Sequence, residues 1–336
     1  MSNTSRLRNR SRFSLALFAL LAGVASLAAI APAAIGQANY PTRDIRFIVT
    51  SSPGGTTDTL ARRVAEQVSK TLGQPVVVEN MPAANAVIAA RTVAKAAPDG
   101  YTVLIGTNTT HSSNPVMMKD PGYDAVADFD PVSLLGTAAL VIAVNPSLPI
   151  TNVKELIAYA KANPGKLTFA SGTGSARISA EFFKSEAGIN IVTVPYKSNA
   201  QGMTDVLGGH VSMIFGDMPL VLPHLRSGAV RGIAVTSATR SSLVPELPTI
   251  REAGLPNYEL VGWVGAFVPA KTPPAIIQKL SDAIQKPLRE DKQFGDGLRA
   301  VGIEPAASTP EQLKQYVAVE FKKWGDIVRG AGIKPE

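Results

Sequence analysis

The stretch 47–66, FIVTSSPGGTTDTLARRVAE, passes from an apolar strand pattern through a Pro-Gly-Gly turn into a helical pattern. The first turn of a helix leaves its backbone N–H groups unpaired and carries the positive end of the helix dipole, so glycines just before it often open an anion site. No lysine stands where a phosphate-binding P-loop needs one. The stretch therefore predicts a strand, a candidate anion loop and a helix, and leaves open which anion binds.

The same alternation of strand and helix patterns continues on both sides of this stretch. Apolar strand patterns lie at 45–50, 75–79 and 101–106, and helical patterns fill the two gaps between them. In the first helical pattern an apolar residue recurs every four positions from Leu60 to Leu72. Strands joined through helices by short loops form parallel sheets with right-handed crossovers, so an α/β fold is predicted.

Two long apolar segments, 131–146 and 259–269, separate two runs of this alternation. We interpret them as buried strands that cross between two α/β lobes, with the helical C-terminal tail packing back on the first lobe. A cleft between lobes is a preferred place for a ligand, and a two-strand hinge permits closure around it. The predicted organisation is 39–137 plus 259–336 for the first lobe and 138–258 for the second.

The loop after the first strand has a counterpart in the second lobe. The stretch 167–183, LTFASGTGSARISAEFF, also runs from strand to glycine-rich loop to helix, with Gly172 and Gly174 in the places of Gly54 and Gly55. Both loops are predicted at the carboxyl edge of a parallel sheet, where α/β folds bind ligands. They either grip one anion from both sides or serve only as tight turns, and their matching positions favour the first interpretation.

Arg177 lies in the first turn of the helix that follows this second loop. A cation there opposes the helix dipole by about 0.3–1 kcal/mol. Its placement is explained either by an anionic partner, such as a ligand carboxylate, or by exposure to solvent. Arg177 also stands in the place of the third glycine of a dinucleotide-binding fingerprint, which the loop therefore does not match.

Catalysis and metal binding find little support in the sequence. The histidines are His111, His210 and His224, and none forms a pair with metal-ligand spacing. His111 follows a predicted strand and is a candidate for the cleft, whereas the other two are interpreted as structural. No G-x-S-x-G motif and no cysteine occurs, which excludes a serine elbow, disulfides and thiolate–metal sites. An enzyme is therefore the least favoured class.

The first 38 residues have the layout of a secretory signal peptide. Four arginines and no acid precede an apolar run, and Gly36 and Ala38 supply the small residues of a cleavage site near Ala38. A membrane anchor is the alternative interpretation, which the alanine-rich run disfavours. Removing this segment lowers the formal net charge of +7 by four. The remaining charge, without clustered lysine and arginine, argues against a nucleic-acid-binding class.

Several motifs in order along the chain, among them YPTRDIRFIVTSSPGGTTD, APDGYTVLIGTNTTHSSNP and LPTIREAGLPNYE, are similar to those of one protein family. They resemble the Bug (TctC-like) solute-binding proteins, the periplasmic receptors of tripartite tricarboxylate transporters, from about Tyr40 to Glu336. The resemblance implies a type II periplasmic binding protein fold whose two α/β lobes close on a small carboxylate. It also implies a periplasmic monomer without catalysis, metal or cofactor, whose partners are inner-membrane transporter subunits. An extracytoplasmic carboxylate sensor that feeds a signalling partner is the alternative.

The family resemblance also implies which residues face the cleft. In such receptors the loops after the first strands of both lobes hold a carboxylate through backbone amides, hydroxyls and water. The GTNTTH loop, the start of the helix after VPYK, and Asp217 in FGDMP also face the cleft. The residues carried over are Ser52, Gly54, Gly55, Thr56, Asp58, Thr107, Asn108, His111, Ser171, Gly172, Thr173, Gly174, Ser175, Tyr196, Asn199 and Asp217.

Three places depart from the family pattern. The loop 81–87 reads MPAANAV in place of RPGAGG, which brings Asn85 to the cleft. Arg177 stands where many members have histidine or another polar residue, and Ser198 stands where glycine is common. An aromatic or other extended dicarboxylate is therefore the ligand hypothesis, with one carboxylate on the glycine loops and the other near Arg177.

Overall fold

Strands and helices alternate along the chain in the computed structural model, which describes residues 39–82, 85–330 and 332. The signal peptide predicted over 1–38 lies outside the described residues. The strands and helices of the described chain belong to the unit Arg43–Glu336. Among them, no helix is both long enough and apolar enough to cross a lipid bilayer.

The elements follow the order that the sequence patterns predict. The strands are β1 (Ile45–Val49), β2 (Val76–Asn80), β3 (Thr102–Thr107), β4 (Phe129–Val144), β5 (Thr168–Ser171), β6 (Val192–Pro195), β7 (Met213–Asp217), β8 (Arg231–Val235), β9 (Val261–Pro269) and β10 (Glu304–Pro305). The helices are α1 (Thr56–Leu72), α2 (Val87–Ala94), α3 (Asn114–Met117), α4 (Val153–Ala162), α5 (Gly174–Ala187), α6 (Asn199–Leu207), α7 (Met218–Arg226), α8 (Pro274–Glu290), α9 (Lys292–Arg299) and α10 (Pro310–Gly330). A π-helical turn, Thr109–Ser113, leads directly into α3.

The first lobe is built on β1, β2 and β3, with α1 and α2 as the connections between them. β1 lies in the middle and pairs in parallel with both neighbours. Every side chain of β1 except Arg46 is buried, as is usual for a central parallel strand. α1 buries the predicted apolar stripe from Leu60 to Val68, and Gly73 ends the helix in the left-handed conformation. Sequence periodicity thus accounts for this lobe.

The second lobe is built on β5, β6, β7 and β8, with α4, α5, α6 and α7 around them. β5 pairs in parallel with β6 and β7, while β7 and β8 lie antiparallel to the last part of β4. α5 and α6 both begin at a hydroxyl cap: Thr173 accepts from the N–H of Ala176 and Ser198 from that of Gln201. The β5–α5 connection repeats the β1–α1 arrangement of the first lobe.

Two strands connect the lobes. Residues 129–139 of β4 pair with β9, whereas residues 140–144 of the same strand pair with β7 and β8. β9 lies between β3 and β4, so the strand order runs β2-β1-β3-β9-β4-β7-β5-β6. β4 and β9 are the two predicted apolar crossings, and the two-lobe α/β fold is confirmed.

The long C-terminal helix α10 contributes to two hydrophobic cores. Leu313 and Val317 pack in the core of the first lobe, whereas Trp324 and Val328 pack in the core of the second. Each buried side chain of this kind stabilises the fold by about 1.5–3 kcal/mol. The prediction that the tail packs back on the first lobe therefore does not describe the second half of α10, because the helix is long enough to reach both cores.

Candidate functional site

A cavity of about 460 Å³ opens between the two lobes. Its wall combines the loops after β1 and β3 of the first lobe, the loops after β5 and β6 of the second lobe, the middle of β4 and the first part of β9. This volume lies within the range of sites for small organic ligands. The cavity is therefore the cleft that the crossing strands predict.

On the first-lobe side, the β1–α1 loop presents the start of a helix to the cavity. Gly55 is the N-cap residue of α1 and has no side chain to cap the N–H groups of Thr56 and Thr57. Gly54 turns the loop with φ of +80°, a conformation that glycine adopts without strain. All four residues line the cavity. Uncapped N–H groups at the positive end of a helix favour an anion here.

Asp58 lies behind this loop and stabilises it through hydrogen bonds. Its carboxylate accepts from the N–H of Gly54 at 2.8 Å, from Nδ2 of Asn80 at 2.8 Å and from Nε of Arg62 at 3.1 Å. Burial raises the pKa of this carboxyl, but the hydrogen bonds outweigh burial and leave the pKa below its usual value. Asp58 therefore stays ionised and fixes the turn at Gly54.

On the second-lobe side, two loops are pressed together. The N–H of Gly172 donates to Oδ1 of Asn199 at 3.0 Å. A Cβ added at Gly172 would lie 2.0 Å from the carbonyl carbon of Ser198, so only glycine allows this approach. Thr173 and Ser175 line the cavity beside them. The N-termini of α5 and α6 thereby meet at one wall.

A buried hydrogen bond joins the lobes at the cavity. Asn108 follows β3, and its Nδ2 donates to Oγ of Ser175 in the first turn of α5. Its Oδ1 accepts from the backbone N–H of Trp263 in β9 at 3.3 Å, which fixes the orientation of the amide. All three residues line the cavity. One side chain thus connects both lobes, a crossing strand and the ligand space.

Asp217 brings a carboxyl group to the same wall. It ends β7 and is half-buried. Burial raises the pKa of this carboxyl to about 6, although a hydrogen bond from the side chain of Asn199 acts in the opposite direction. Asp217 is also the N-cap residue of α7, but its side chain makes no capping hydrogen bond. The carboxyl is therefore not committed to the helix start.

The wall has few charged groups and a broad apolar part. Among the described residues that line the cavity, those that titrate or carry charge are Lys197, Asp217 and His224. The larger apolar side chains of the wall are Trp263, Val264, Pro219, Leu220, Pro223 and Ile303. Amides, hydroxyls and one lysine around apolar side chains suit a small anion with an apolar body.

A second cavity, of about 480 Å³, is lined by residues 237–243 and by the turn between α9 and β10. It contains Arg240 and Arg299, but both guanidinium groups already face carboxylates. Nε of Arg240 lies 2.8 Å from Glu252, and Nε of Arg299 lies 3.0 Å from Glu304. The cavity between the lobes is therefore the stronger candidate for an anionic ligand.

The chain matches a known receptor family over nearly its whole length. The profile of the tripartite tricarboxylate transporter family receptor, TctC, matches residues 60–333. The chain belongs to this family. Its members are periplasmic solute-binding receptors and not enzymes.

Relatives of the receptor cover the same length and share its fold. Protein BugT of Bordetella pertussis is 36% identical over 321 residues, which are 95% of this chain and 96% of BugT. An R. palustris protein solved with adipate has a TM-score of 0.85 and 36% identity, covering 88% of this chain and 100% of that chain. MatC from Rhodopseudomonas palustris, solved with bound malate, has a TM-score of 0.81 and 30% identity, covering 86% of this chain and 100% of that chain.

The receptor's cavity brings together many of the residues predicted for the cleft. Those on its wall are Ser52, Gly54, Gly55, Thr56, Asn85, Thr107, Asn108, Gly172, Thr173, Ser175, Asn199 and Asp217. The divergent loop reaches the wall through Asn85, whose carbonyl accepts from Nδ2 of Asn114 at 2.8 Å. Asn85 and Ala86 have φ of +50° and +66°, a conformation for which glycine is better suited. The contact of these residues with a ligand stays a prediction.

His111 is placed in the first-lobe core, not on the cavity wall. Its ring stacks on Phe267 with centroids 3.8 Å apart, and Nδ1 lies 2.8 Å from Oγ1 of Thr110. The side chain is 1% exposed, and burial lowers the pKa of the imidazole to about 3. The π-helical turn after β3 carries the ring inward, so His111 is a neutral core residue.

The other predicted residues also lie off the wall. The hydroxyl of Tyr196 donates to Asp205 at 2.6 Å, and the carbonyl of Ser171 accepts from the N–H of Tyr196 at 2.9 Å. Gly174 is packed so closely that an added Cβ would lie 2.4 Å from Oγ of Ser113. Arg177 is half-buried, one helical turn beyond Thr173, and does not contribute to the cavity wall. Tyr196, Ser171 and Gly174 position the loops, and Arg177 does not line the cavity in which a second carboxylate would bind.

Sequence reasoning missed several residues of the wall, among them Lys197, His224 and Trp263. Lys197 follows β6 at the same carboxyl edge of the sheet as the glycine loops. Ligands of α/β folds bind at this edge, so the position of Lys197 could have indicated it. His224 lies two helical turns after Asp217, a spacing that places both on one side of α7. Trp263 belongs to an apolar crossing strand, and no pattern there indicates a cavity.

Proposed function

We propose that this receptor captures a small carboxylate by closure of its two lobes and delivers it to the membrane subunits of a tripartite tricarboxylate-type transporter. The single observation that carries the proposal is the cavity of about 460 Å³. There the starts of helices from both lobes face one another across space for one ligand.

Several features support a carboxylate over a phosphate. The first-lobe loop offers the N–H groups of Thr56 and Thr57 at a helix start, where an anion is stabilised by about 0.3–1 kcal/mol per helix. The facing wall adds the hydroxyls of Thr173 and Ser175. Among the described wall residues there is no arginine and one lysine, Lys197. One positive charge is little for binding a multiply charged phosphate. It is sufficient for a carboxylate, which neutral N–H and O–H donors can also hold.

The extended dicarboxylate remains our ligand hypothesis, with a change in how it is held. The apolar side chains along the wall suit a hydrocarbon body between two polar ends. Two structural relatives were solved with adipate and with malate, both dicarboxylates. Because Arg177 lies off the wall, Lys197 supplies the favourable positive charge for such a ligand. Lys197 is exposed and acts by attraction at the rim.

Closure follows from the two crossing strands. β4 and β9 are the strands shared between lobes, so rotation at these strands changes the distance between the facing loops. The hydrogen bond from Asn108 to Ser175 joins the lobes directly. We expect the receptor to act as a periplasmic monomer, which size-exclusion chromatography with light scattering measures.

A thermal-shift screen of mono-, di- and tricarboxylates tests the carboxylate claim, with the matching uncharged amides as controls. A ligand at a hundred times its Kd stabilises the folded state by about 2.7 kcal/mol, which raises Tm by several degrees. At least one carboxylate should raise Tm while its amide does not. If no carboxylate raises Tm, the claim is wrong.

Delivery to a transporter needs a separate experiment. Deleting the gene should abolish growth on the carboxylate that the screen identifies, and purified receptor should bind membranes that contain the transporter subunits. Normal growth combined with loss of a transcriptional response to the ligand would support the sensor alternative instead.

A further inference from the structure

One part of the cavity wall is made of acceptor oxygens. Gly262 of β9 lines the cavity, and the position that a Cβ would take there lies 3.9 Å from Oδ1 of Asp217 and 3.9 Å from Oδ1 of Asn108. The backbone oxygen of Ala138 lies 3.3 Å from the same position. Because Gly262 has no side chain, a ligand group can occupy the space that a Cβ would fill. Three oxygens surround this space.

Three nearby donors of the described wall already make hydrogen bonds. Nδ2 of Asn108 donates to Ser175, and the N–H of Trp263 donates to Oδ1 of Asn108. The side chain of Asn199 donates to the Asp217 carboxyl. A group that enters the space over Gly262 meets three oxygens as its nearest neighbours, so it binds best when it brings its own hydrogen, because acceptors do not bind acceptors.

We propose that the space over Gly262, bounded by Asp217, Asn108 and Ala138, is a subsite for the proton-bearing end of the ligand. This inference rests on the proposed function, in which the other end is a carboxylate on the glycine loops. The end over Gly262 is either an ammonium group or a carboxylic acid that shares one proton with Asp217.

For a dicarboxylate this subsite couples binding to proton uptake. Two carboxylates within one small cavity cannot both stay ionised at low cost, as in paired acids elsewhere. Burial already raises the pKa of Asp217 to about 6, so its carboxyl is mostly ionised at pH 7.5 and has to acquire the shared proton. Each dicarboxylate bound should then take up about one proton, whereas an amino-carboxylate should take up none.

Two other titratable groups face the cavity and need controls. Lys197 lies in the β6–α6 loop and is exposed. His224 lies on α7 seven residues after Asp217, which is about 10 Å along the helix. Neither supplies one of the three atoms nearest to the position over Gly262.

Isothermal titration in buffers of different ionisation enthalpy measures the protons taken up. The probes are adipate and 6-aminohexanoate, which differ at one end; if adipate does not raise Tm, the dicarboxylate with the largest Tm shift and its amino analogue replace them. Adipate should take up close to one proton at pH 7.5 and bind about tenfold more weakly per pH unit between pH 7 and 8. 6-Aminohexanoate should take up none, and its affinity should not change with pH.

The variants separate Asp217 from its neighbours. Asp217→Asn should abolish proton uptake with adipate. It should also lower the affinity for 6-aminohexanoate at least tenfold. Loss of uptake in His224→Gln would place the proton on the imidazole and contradict its assignment to Asp217. The exposed control Asp282→Asn should leave uptake with adipate unchanged. Adipate binding without proton uptake, or uptake that persists in Asp217→Asn, would overturn this inference alone. If no carboxylate of the thermal-shift screen binds, the proposed function fails and this inference fails with it.

Discussion

The side-chain amide of Asn108, just after β3, donates a buried hydrogen bond to the hydroxyl of Ser175 at the start of α5. The two residues are 67 positions apart in the chain and belong to different lobes. The bond is therefore a direct link between the lobes beside the ligand space.

We expect this link to stabilise the ligand-bound, closed receptor. In a double-mutant cycle of Asn108→Ala and Ser175→Ala, the coupling free energy for carboxylate binding should be about 1 kcal/mol, measured by isothermal titration. Thr168 and Ser212 form a matched control, because their hydroxyls lie 3.3 Å apart within the second lobe. The control cycle should show no coupling in affinity. Strictly additive effects at Asn108 and Ser175 would mean that the bond does not contribute to closure.

Replacing Asp217 should stabilise the ligand-free receptor at neutral pH. Its folded pKa of about 6 lies above the usual value of about 3.9, so the folded protein binds the proton more tightly than the unfolded chain. The ionised carboxyl thus costs stability that grows from pH 4 to 6 and is constant above. Asp217→Asn should raise the free energy of unfolding, measured with urea, by about 2 kcal/mol at pH 7.5 and by nearly nothing at pH 4. A gain of equal size at both pH values would contradict the assigned cause.

His111 should cause part of the loss of stability in acid. Burial lowers the pKa of its imidazole to about 3, against about 6.5 in the unfolded chain. The unfolded chain therefore binds a proton below pH 6.5, whereas the imidazole in the folded core stays neutral. This difference lowers the free energy of unfolding by about 2 kcal/mol at pH 5. His111→Leu lacks this titration, so its unfolding free energy should decrease less between pH 7 and 5. Equal pH slopes for both proteins would show that His111 is not the group responsible.

Gly172 should tolerate no side chain. A Cβ there would lie 2.0 Å from a backbone carbon of Ser198, so the two loops of the second lobe have to separate. Gly172→Ala should cost about 3 kcal/mol of stability and abolish carboxylate binding. Gly188→Ala is the matched control, because Gly188 has φ of +60° and open space around it at the end of α5. Gly188→Ala should lower the free energy of unfolding by about 1–2 kcal/mol through backbone strain and leave the affinity for the carboxylate unchanged. Retained binding in Gly172→Ala would contradict the close approach.

Much of the fold could be predicted because its signals are local. The apolar stripe of α1 and the twin glycine loops follow from spacing within single segments, and the long apolar runs of β4 and β9 predict buried crossings. The reach of α10 into two cores could not be predicted. Its sequence shows an apolar stripe, but the stripe does not specify which lobe covers each half.

The site was less predictable because it depends on where side chains point. The dipole argument placed Arg177 in the correct turn of α5 but gave no direction, and the structure places it off the wall. His111 ends a strand pattern as a cleft residue would, yet a π-helical turn carries its ring into the core. His224 reaches the wall through tertiary packing that no motif records, whereas the place of Lys197 after β6, at the carboxyl edge of the sheet, could have indicated it.

The central claim is that one carboxylate binds between the glycine loops of both lobes. The most direct test is to follow backbone amide resonances of the ¹⁵N-labelled receptor while adding the carboxylate with the largest Tm shift. We expect the resonances of Gly55, Thr56, Gly172 and Thr173 to shift together and to saturate at the same ligand concentration. Shifts confined to one of the two loops, or centred on the second cavity near Arg240, would contradict it.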